Sequence, residues 1–186
     1  TDNGLLSGRG VSALAANSTT LFLGTNFGGT GGGVYRSTDE GQTWTAINNG
    51  FPAPRSIQDF LVNGNNIFAV TFNGELFGST NNGDSWTRLN NGLPNAVSVG
   101  LSGGLTVHNN TLFLLNFAAS APELYRSTDN GQSWTKPDLQ LPQGVSPTYI
   151  AANASRIFLG TRSGGGLRVS EDGQTWTPVS GLPGTD

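Results

Sequence analysis

A motif that returns four times is the strongest constraint on what this chain can fold into. Four tryptophans, Trp44, Trp86, Trp134 and Trp176, stand 42, 48 and 42 residues apart. Each closes a short polar stretch: Ser37-Thr38-Asp39-Glu40-Gly41-Gln42-Thr43-Trp44, Ser79-Thr80-Asn81-Asn82-Gly83-Asp84-Ser85-Trp86, Ser127-Thr128-Asp129-Asn130-Gly131-Gln132-Ser133-Trp134, and a degenerate Val169-Ser170-Glu171-Asp172-Gly173-Gln174-Thr175-Trp176. A second marker is steadier: Leu21-Phe22, Ile67-Phe68, Leu112-Phe113 and Ile157-Phe158 lie 46, 45 and 45 apart. A third, Gly-Leu-Pro or a near variant, follows each tryptophan. Three markers in one order, four times over, define an array of like units.

Each unit reads as four short strands. In the first these are Val11–Ala15, Leu21–Thr25, Gly33–Ser37 and Trp44–Ile47, with Gly and Asn at the joins, where hairpins need positive φ. No segment keeps a 3.6-residue period, so helices should be nearly absent. Four strands in a unit of this length make a β-propeller blade, which cannot bury both faces alone and must stack on others. The expectation is an all-β single domain over 1–186, a β-propeller of four four-stranded antiparallel blades at approximately 9–50, 55–92, 98–140 and 146–183.

Composition narrows the partners. A net charge of -3, a pI near 5.0 and 11% charged residues give no basic patch for nucleic acid. No apolar run approaches the length of a membrane span. The absence of Cys removes disulfides and thiolate metal sites, and no cofactor is implied. The absence of Met points to a removed leader or to a piece of a longer protein. With the Asn/Thr/Gly-rich surface, this leads us to expect a secreted, extracellular or cell-surface protein.

The pattern Ser-x-Asp-x-Gly-x-(Thr/Ser)-Trp resembles the Asp box, or bacterial neuraminidase repeat, over all four units. Ser37, Asp39, Gly41 and Trp44 match fully, as do Ser127, Asp129, Gly131 and Trp134. Ser79, Gly83 and Trp86 enclose Asn81 in place of the acid, and the last unit keeps Gly173 and Trp176 but sets Val169 and Glu171 at the Ser and Asp positions. Proteins of this kind include sialidases, some cellulose- and xyloglucan-cleaving hydrolases, sortilin-type receptors, a photosystem assembly factor and uncharacterised secreted bacterial repeat proteins, the last being the nearest in character. The resemblance implies a propeller with the box in the hairpin between third and fourth strands, away from any active face. Residue chemistry agrees: a feature present four times, once with an amide for the acid, serves hydrogen bonding rather than proton transfer.

Function is then sought where the copies disagree. Alignment on the Leu-Phe marker puts Ala13, Asp59, Gly104 and Tyr149 at one position of the innermost strand, after Ser12, Gln58, Gly103 and Thr148, which read as a polar channel lining. Arg9, Arg55 and Arg162 fall at irregular places in the loops, and Arg55, Asp59, Tyr149 and Arg162 form the candidate binding set. The reading is a non-catalytic interaction or structural module that binds a glycan or an extracellular protein through its loop face. One alternative is a sialidase-like glycoside hydrolase with Asp59 as acid or nucleophile and Tyr149 opposite. The family's Phe/Tyr-Arg-Ile-Pro stretch is missing, and the four glutamates offer no facing pair. Another alternative is self-association of four-blade chains into a larger ring or a fibre.

Several other features receive bland assignments. His108 reads as an exposed turn residue. Arg36, Arg126 and Arg168 recur before the boxes and read as salt-bridging along strands. The glycosylation-type triplets at Asn17, Asn109 and Asn153 share one turn, and the Gly28–Gly33 run is a loop without the helix and lysine that phosphate binding needs.

Overall fold

The computed structural model describes residues 4, 10–26, 32–51, 56–95, 97–99, 104–118 and 121–181. Arg9 and Arg55, and the Gly28–Gly31 part of the glycine run, lie outside them. Among the described residues there are strands and turns and no helix, so none is long and apolar enough to cross a membrane.

The chain divides into two compact units, Thr1–Asn90 and Asn91–Asp186. The first holds two antiparallel sheets, one with strands β1 (Val11–Ala16), β2 (Leu21–Thr25), β3 (Val34–Ser37) and β4 (Thr45–Ala46). The other has β5 (Ile57–Asn63), β6 (Asn66–Thr71), β7 (Leu76–Ser79) and β8 (Thr87–Arg88), and in both sheets neighbours in sequence are neighbours in space. The second unit has a sheet of β9 (Leu105–His108), β10 (Thr111–Asn116) and β11 (Glu123–Ser127), and a sheet of β12 (Ser146–Ala152), β13 (Ile157–Arg162), β14 (Leu167–Ser170) and β15 (Thr177–Pro178). On β11 the place of a fourth strand is reduced to one bridge, Arg126 to Thr135.

Burial explains the sequence pattern. The second strands are continuous apolar runs, buried almost throughout in β2, β6 and β10, because they are covered on both faces. In the first unit Phe22, Val34, Ile47, Ile57, Phe60, Ile67, Ala69, Phe77 and Trp86 form one core drawn from both sheets. Sheet approaches sheet so closely that a Cβ on Gly24 would lie 2.6 Å from the Ile57 Cβ. Trp86 enters from the second sheet, donates its indole N–H to the Ile47 carbonyl of the first at 2.8 Å, and sets its ring centroid 5.1 Å from that of Phe51. Truncating such a buried tryptophan to alanine costs about 3–5 kcal/mol. The second unit repeats the arrangement with Phe113, Leu115, Leu124, Ile150, Ile157, Leu159 and Trp176.

The recurring polar stretches form the hairpins between third and fourth strands. Ser37 Oγ donates to Asp39 Oδ1 at 2.8 Å and accepts from the Gly41 N–H at 2.9 Å, while the Thr43 N–H reaches the same carboxylate at 2.8 Å. Ser127, Asp129, Gly131 and Ser133 repeat this set. Glu40, Asn82 and Asn130 take left-handed φ values of 59°, 57° and 56° just before the turn glycine. At Asn81 the polarity is shared: Oδ1 accepts from Ser79 Oγ and the Ser85 N–H, and Nδ2 donates to Ser85 Oγ at 2.9 Å.

The fourth hairpin corrects the sequence alignment. Ser170 and Asp172, not Val169 and Glu171, fill the Ser and Asp places. Ser170 Oγ donates to Asp172 Oδ1 at 3.0 Å and accepts from the Gly173 N–H at 2.8 Å, and Asp172 also receives the Thr175 N–H. The turn is one residue shorter, lacking the left-handed residue between acid and glycine, so counting back from Trp176 lands one place too early. Glu171 instead faces Arg156 at 3.9 Å on the surface.

These bonds hold the turn carboxylates ionised. Asp39 is lowered to about 2, chiefly by the Thr43 hydroxyl and then by the Thr43 N–H and Ser37. Asp129 is likewise lowered to about 2, chiefly by the Ser133 hydroxyl. A depressed carboxylate contributes stability above its unfolded pKa and loses it as pH falls through the folded one. For the double variant Asp39→Asn/Asp129→Asn, urea unfolding followed against pH should therefore show a flatter loss of stability between 3.8 and about 2 than the parent chain shows.

Candidate functional site

Register places the two kinds of loop at opposite ends of each sheet. In the last sheet Ile157 pairs with Ser170 at the hairpin end, whereas Gly160 pairs with Leu167 and Ser146 with Arg162 at the other. The uneven second-to-third loops and the connections into each first strand thus share the end away from the polar hairpins.

At that end Ala13, Asp59 and Tyr149 occupy one register position, opposite Gly24, Val70 and Gly160. Each directly follows a register shift in its strand, and such a bulge re-aims the side chain that follows it. The residue within the shift does not simply line a channel as the sequence suggests: Ser12 Oγ donates across to the Ile57 carbonyl of β5.

Asp59 is half-buried, its Oδ1 accepting the Phe60 N–H at 2.8 Å. Burial dominates and raises its carboxyl above the ordinary range. Tyr149 is 62% exposed on β12, and Arg162 is exposed at the end of β13, paired with the first residue of the same β12. Tyr149 and Arg162 therefore share one sheet of the second unit, while Asp59 belongs to the first. Arg55, expected to join them, lies outside the described residues.

His108 corrects another expectation. It is 5% exposed rather than an open turn residue. Its Nδ1 lies 3.0 Å from the Asn153 carbonyl of the neighbouring sheet, and its Nε2 lies 3.0 Å from Asn109 Nδ2. Both contacts are met by a neutral ring with the proton on Nδ1. Asn17, at the same position in the first unit, donates to the Gly64 carbonyl at 3.2 Å, so the two residues clasp adjacent sheets in the same way.

Among the recurrent arginines, Arg36 bonds the Asn82 carbonyl at 2.9 Å and Asp84 at 2.7 Å, joining two sheets. Nε of Arg126 and of Arg168 is buried without a partner. A group that sequence reading passed over is Glu123, which accepts from Lys136 Nζ and from the Tyr125 hydroxyl, each at 2.7 Å. Burial first, then Glu123, pushes Tyr125 up to about 12, and Lys136 chiefly lowers Glu123. The signal that could have drawn attention there is Pro137, which stands where the other copies have Ile47, Leu89 and Val179. No cluster of three or more His, Asp or Glu able to hold a metal occurs among the described residues.

Antiparallel sheets in sequential order, stacked through apolar faces, meet a family assignment here. The DUF6242 beta propeller domain profile matches residues 4–106. This chain belongs to that β-propeller family. Among solved structures it is similar to YCF48 from Cyanidioschyzon merolae, with 14% identity and a TM-score of 0.59, covering 98% of this chain and 59% of that one. A structure of YCF48 bound to D1 peptide matches at 17% identity and a TM-score of 0.59, over 94% of this chain and 56% of that one. A GH74 xyloglucanase from Xanthomonas campestris matches at 22% identity and a TM-score of 0.65, over 97% of this chain and 32% of that one. At these identities the likeness shows the fold, and this chain spans well under two thirds of each of these proteins. It matches none of the curated proteins.

Asp59 yields a signed test. A carboxyl raised by burial favours the folded state below its unfolded pKa of 3.8 and penalises it as pH rises through the folded value. Asp59→Asn should accordingly raise the unfolding free energy at neutral pH and leave it nearly unchanged below 3.8, as read by denaturant titration at both conditions.

Proposed function

We propose that this β-propeller chain is a non-catalytic interaction module whose loop face binds a glycan or a protein. The observation that carries the reading is Tyr149, a large aromatic 62% exposed at the loop end of β12, with the exposed Arg162 guanidinium at the end of the strand beside it. Tyr and Arg are the residues that most often anchor interfaces, the ring supplying area at little entropic cost and the guanidinium a fork of donors. Protein binding is further supported by the similarity to YCF48, which has been seen with a bound peptide.

Within this reading the four polar hairpins are Asp boxes, and the chain supplies four blades at about 9–50, 55–92, 98–140 and 146–183. The thiol-free, weakly charged composition supports a secreted or surface location. YCF48 and the GH74 xyloglucanase are longer than this chain, which supports assembly with further blades. A solution mass of twice 19.3 kDa would favour a ring shared between two chains.

A second reading has one observation in its favour. Asp59 is a half-buried acid held protonated to higher pH than usual, as a glycosidase acid must be, and the GH74 similarity is to an enzyme of that class. Binding to immobilised glycans and extracellular-protein arrays decides between them. Under the first reading Tyr149→Ala and Arg162→Ala each weaken the ligand found by about tenfold, and Asp59→Asn does not. Turnover of fluorogenic glycosides that disappears in Asp59→Asn would establish the second instead.

A further inference from the structure

The third sheet departs from the others at one place. In the three complete sheets, the residue three places after the tryptophan donates its N–H to the residue that opens the third strand. These bonds run from Ile47 to Val34 at 2.9 Å, from Leu89 to Leu76 at 2.8 Å and from Val179 to Leu167 at 2.9 Å. Pro137 is the counterpart after Trp134, and proline has no N–H to give. At the next place, Asn48 and Asn90 accept the Val34 and Leu76 N–H at 2.8 and 3.0 Å. Asp138 stands there in the third sheet and turns its Oδ1 to the Gln140 N–H instead.

The main-chain groups of Leu124 are left unmet as a result. Leu124, the counterpart of Val34 and Leu76, pairs side by side with Leu115, whose N–H goes to Gly104 on the far side. Strand alternation therefore points the Leu124 N–H and C=O away from β10, and among the described residues no hydrogen bond reaches either of them. Leu124 is nevertheless 1% exposed, and buried main-chain groups are rarely left so. Past the Arg126–Thr135 bridge the chain leaves the sheet, with Gln140 at a left-handed φ of 47°, and a groove of about 480 Å³ opens. Pro122, Glu123, Leu124, Pro137, Leu139 and Pro147 are among the residues that line it.

We propose that this groove takes an extended peptide from a partner protein, which adds to the outer edge of β11 at Leu124 where the chain's own fourth strand is missing. An extended backbone carries a donor and an acceptor at the spacing that meets both Leu124 groups, which is the logic of strand addition. The apolar walls take alternate side chains of such a strand. Charge selects among peptides: Lys136 is already held by Glu123, so the Asp138 carboxylate is in excess and favours a basic residue beside the apolar ones. The inference goes beyond the loop-face reading and adds to it a peptide site held by residues other than Tyr149 and Arg162.

Two measurements on the whole chain test it. Amide hydrogen exchange should find the Leu124 N–H of the free chain exchanging about a hundredfold faster than those of Val34 and Leu76, and slowed in Pro137→Val/Asp138→Asn, which regains both the N–H that meets the Leu124 carbonyl and the side-chain acceptor that meets its N–H. Selection of short random peptides displayed on phage should enrich apolar sequences carrying Lys or Arg. Pro137→Val and Asp138→Lys should each weaken them about tenfold, while Tyr149→Ala leaves them unchanged. A Leu124 amide as protected as that of Val34 in the free chain overturns the inference. So do enriched peptides that bind both variants as well as the parent. If the only ligands found are lost in Tyr149→Ala and kept in Pro137→Val, the groove is refuted and the interaction module stands; if no peptide or glycan binds at all, both fall.

Discussion

The indole of Trp86, wedged between two sheets with its N–H on the Ile47 carbonyl, is the contact on which the first unit depends. A four-stranded sheet of short strands has two faces and too few polar residues to leave either one wet. The apolar runs in β2 and β6 make sense only if another sheet lies against them. Close approach then becomes a requirement, and Gly24 meets it by having no side chain to collide with Ile57. Ser12 and Asn17 add main-chain bonds across the same seam, as His108 does in the second unit. Ser12, Asn17 and His108 are thus each committed to the backbone of a neighbouring sheet.

The polar hairpins solve a different problem. A third strand must turn sharply into a very short fourth one, and two to four residues of ladder cannot hold that turn. A serine hydroxyl and a carboxylate substitute for the missing ladder by taking up the free N–H groups of the turn. The result is exposed and chemically occupied: both carboxylate oxygens of Asp39 and of Asp129 are already bonded within their own loops. Variation is left to the opposite end of the sheets, where β-bulges aim Asp59 and Tyr149 and where Arg162 closes β13.

The periodicity of Trp and Leu-Phe made the strands of each unit and the turn positions legible in the sequence, because those features repeat and depend on local pattern. What escaped reading depended on single residues acting at a distance. The fourth hairpin was misaligned because Ser170 and Asp172 make the same bonds with one residue fewer, and a fixed spacing cannot register a deletion. His108 looked like a turn residue because its partner, Asn153, belongs to another sheet. Pro137 carried its message in plain sight, but only the bonds made by Ile47, Leu89 and Val179 reveal what a proline at that place withholds. Of the candidate site, the register of Asp59 with Tyr149 was readable, and the commitment of Ser12 to Ile57 was not.

Asn81 gives the array a property that its matching shapes conceal. Its turn is held by an amide that donates on one side and accepts on the other, and an amide takes up no proton as the medium becomes acid. The turns of Asp39 and Asp129 are held by carboxylates that do. Copies with similar bonds therefore differ in titration behaviour: acid loosens the hairpins of Asp39, Asp129 and Asp172 while the amide of Asn81 keeps its bonds. Acid strong enough to protonate carboxylates lowered to about 2 therefore acts on the turns of Asp39 and Asp129 and leaves the Asn81 amide unchanged.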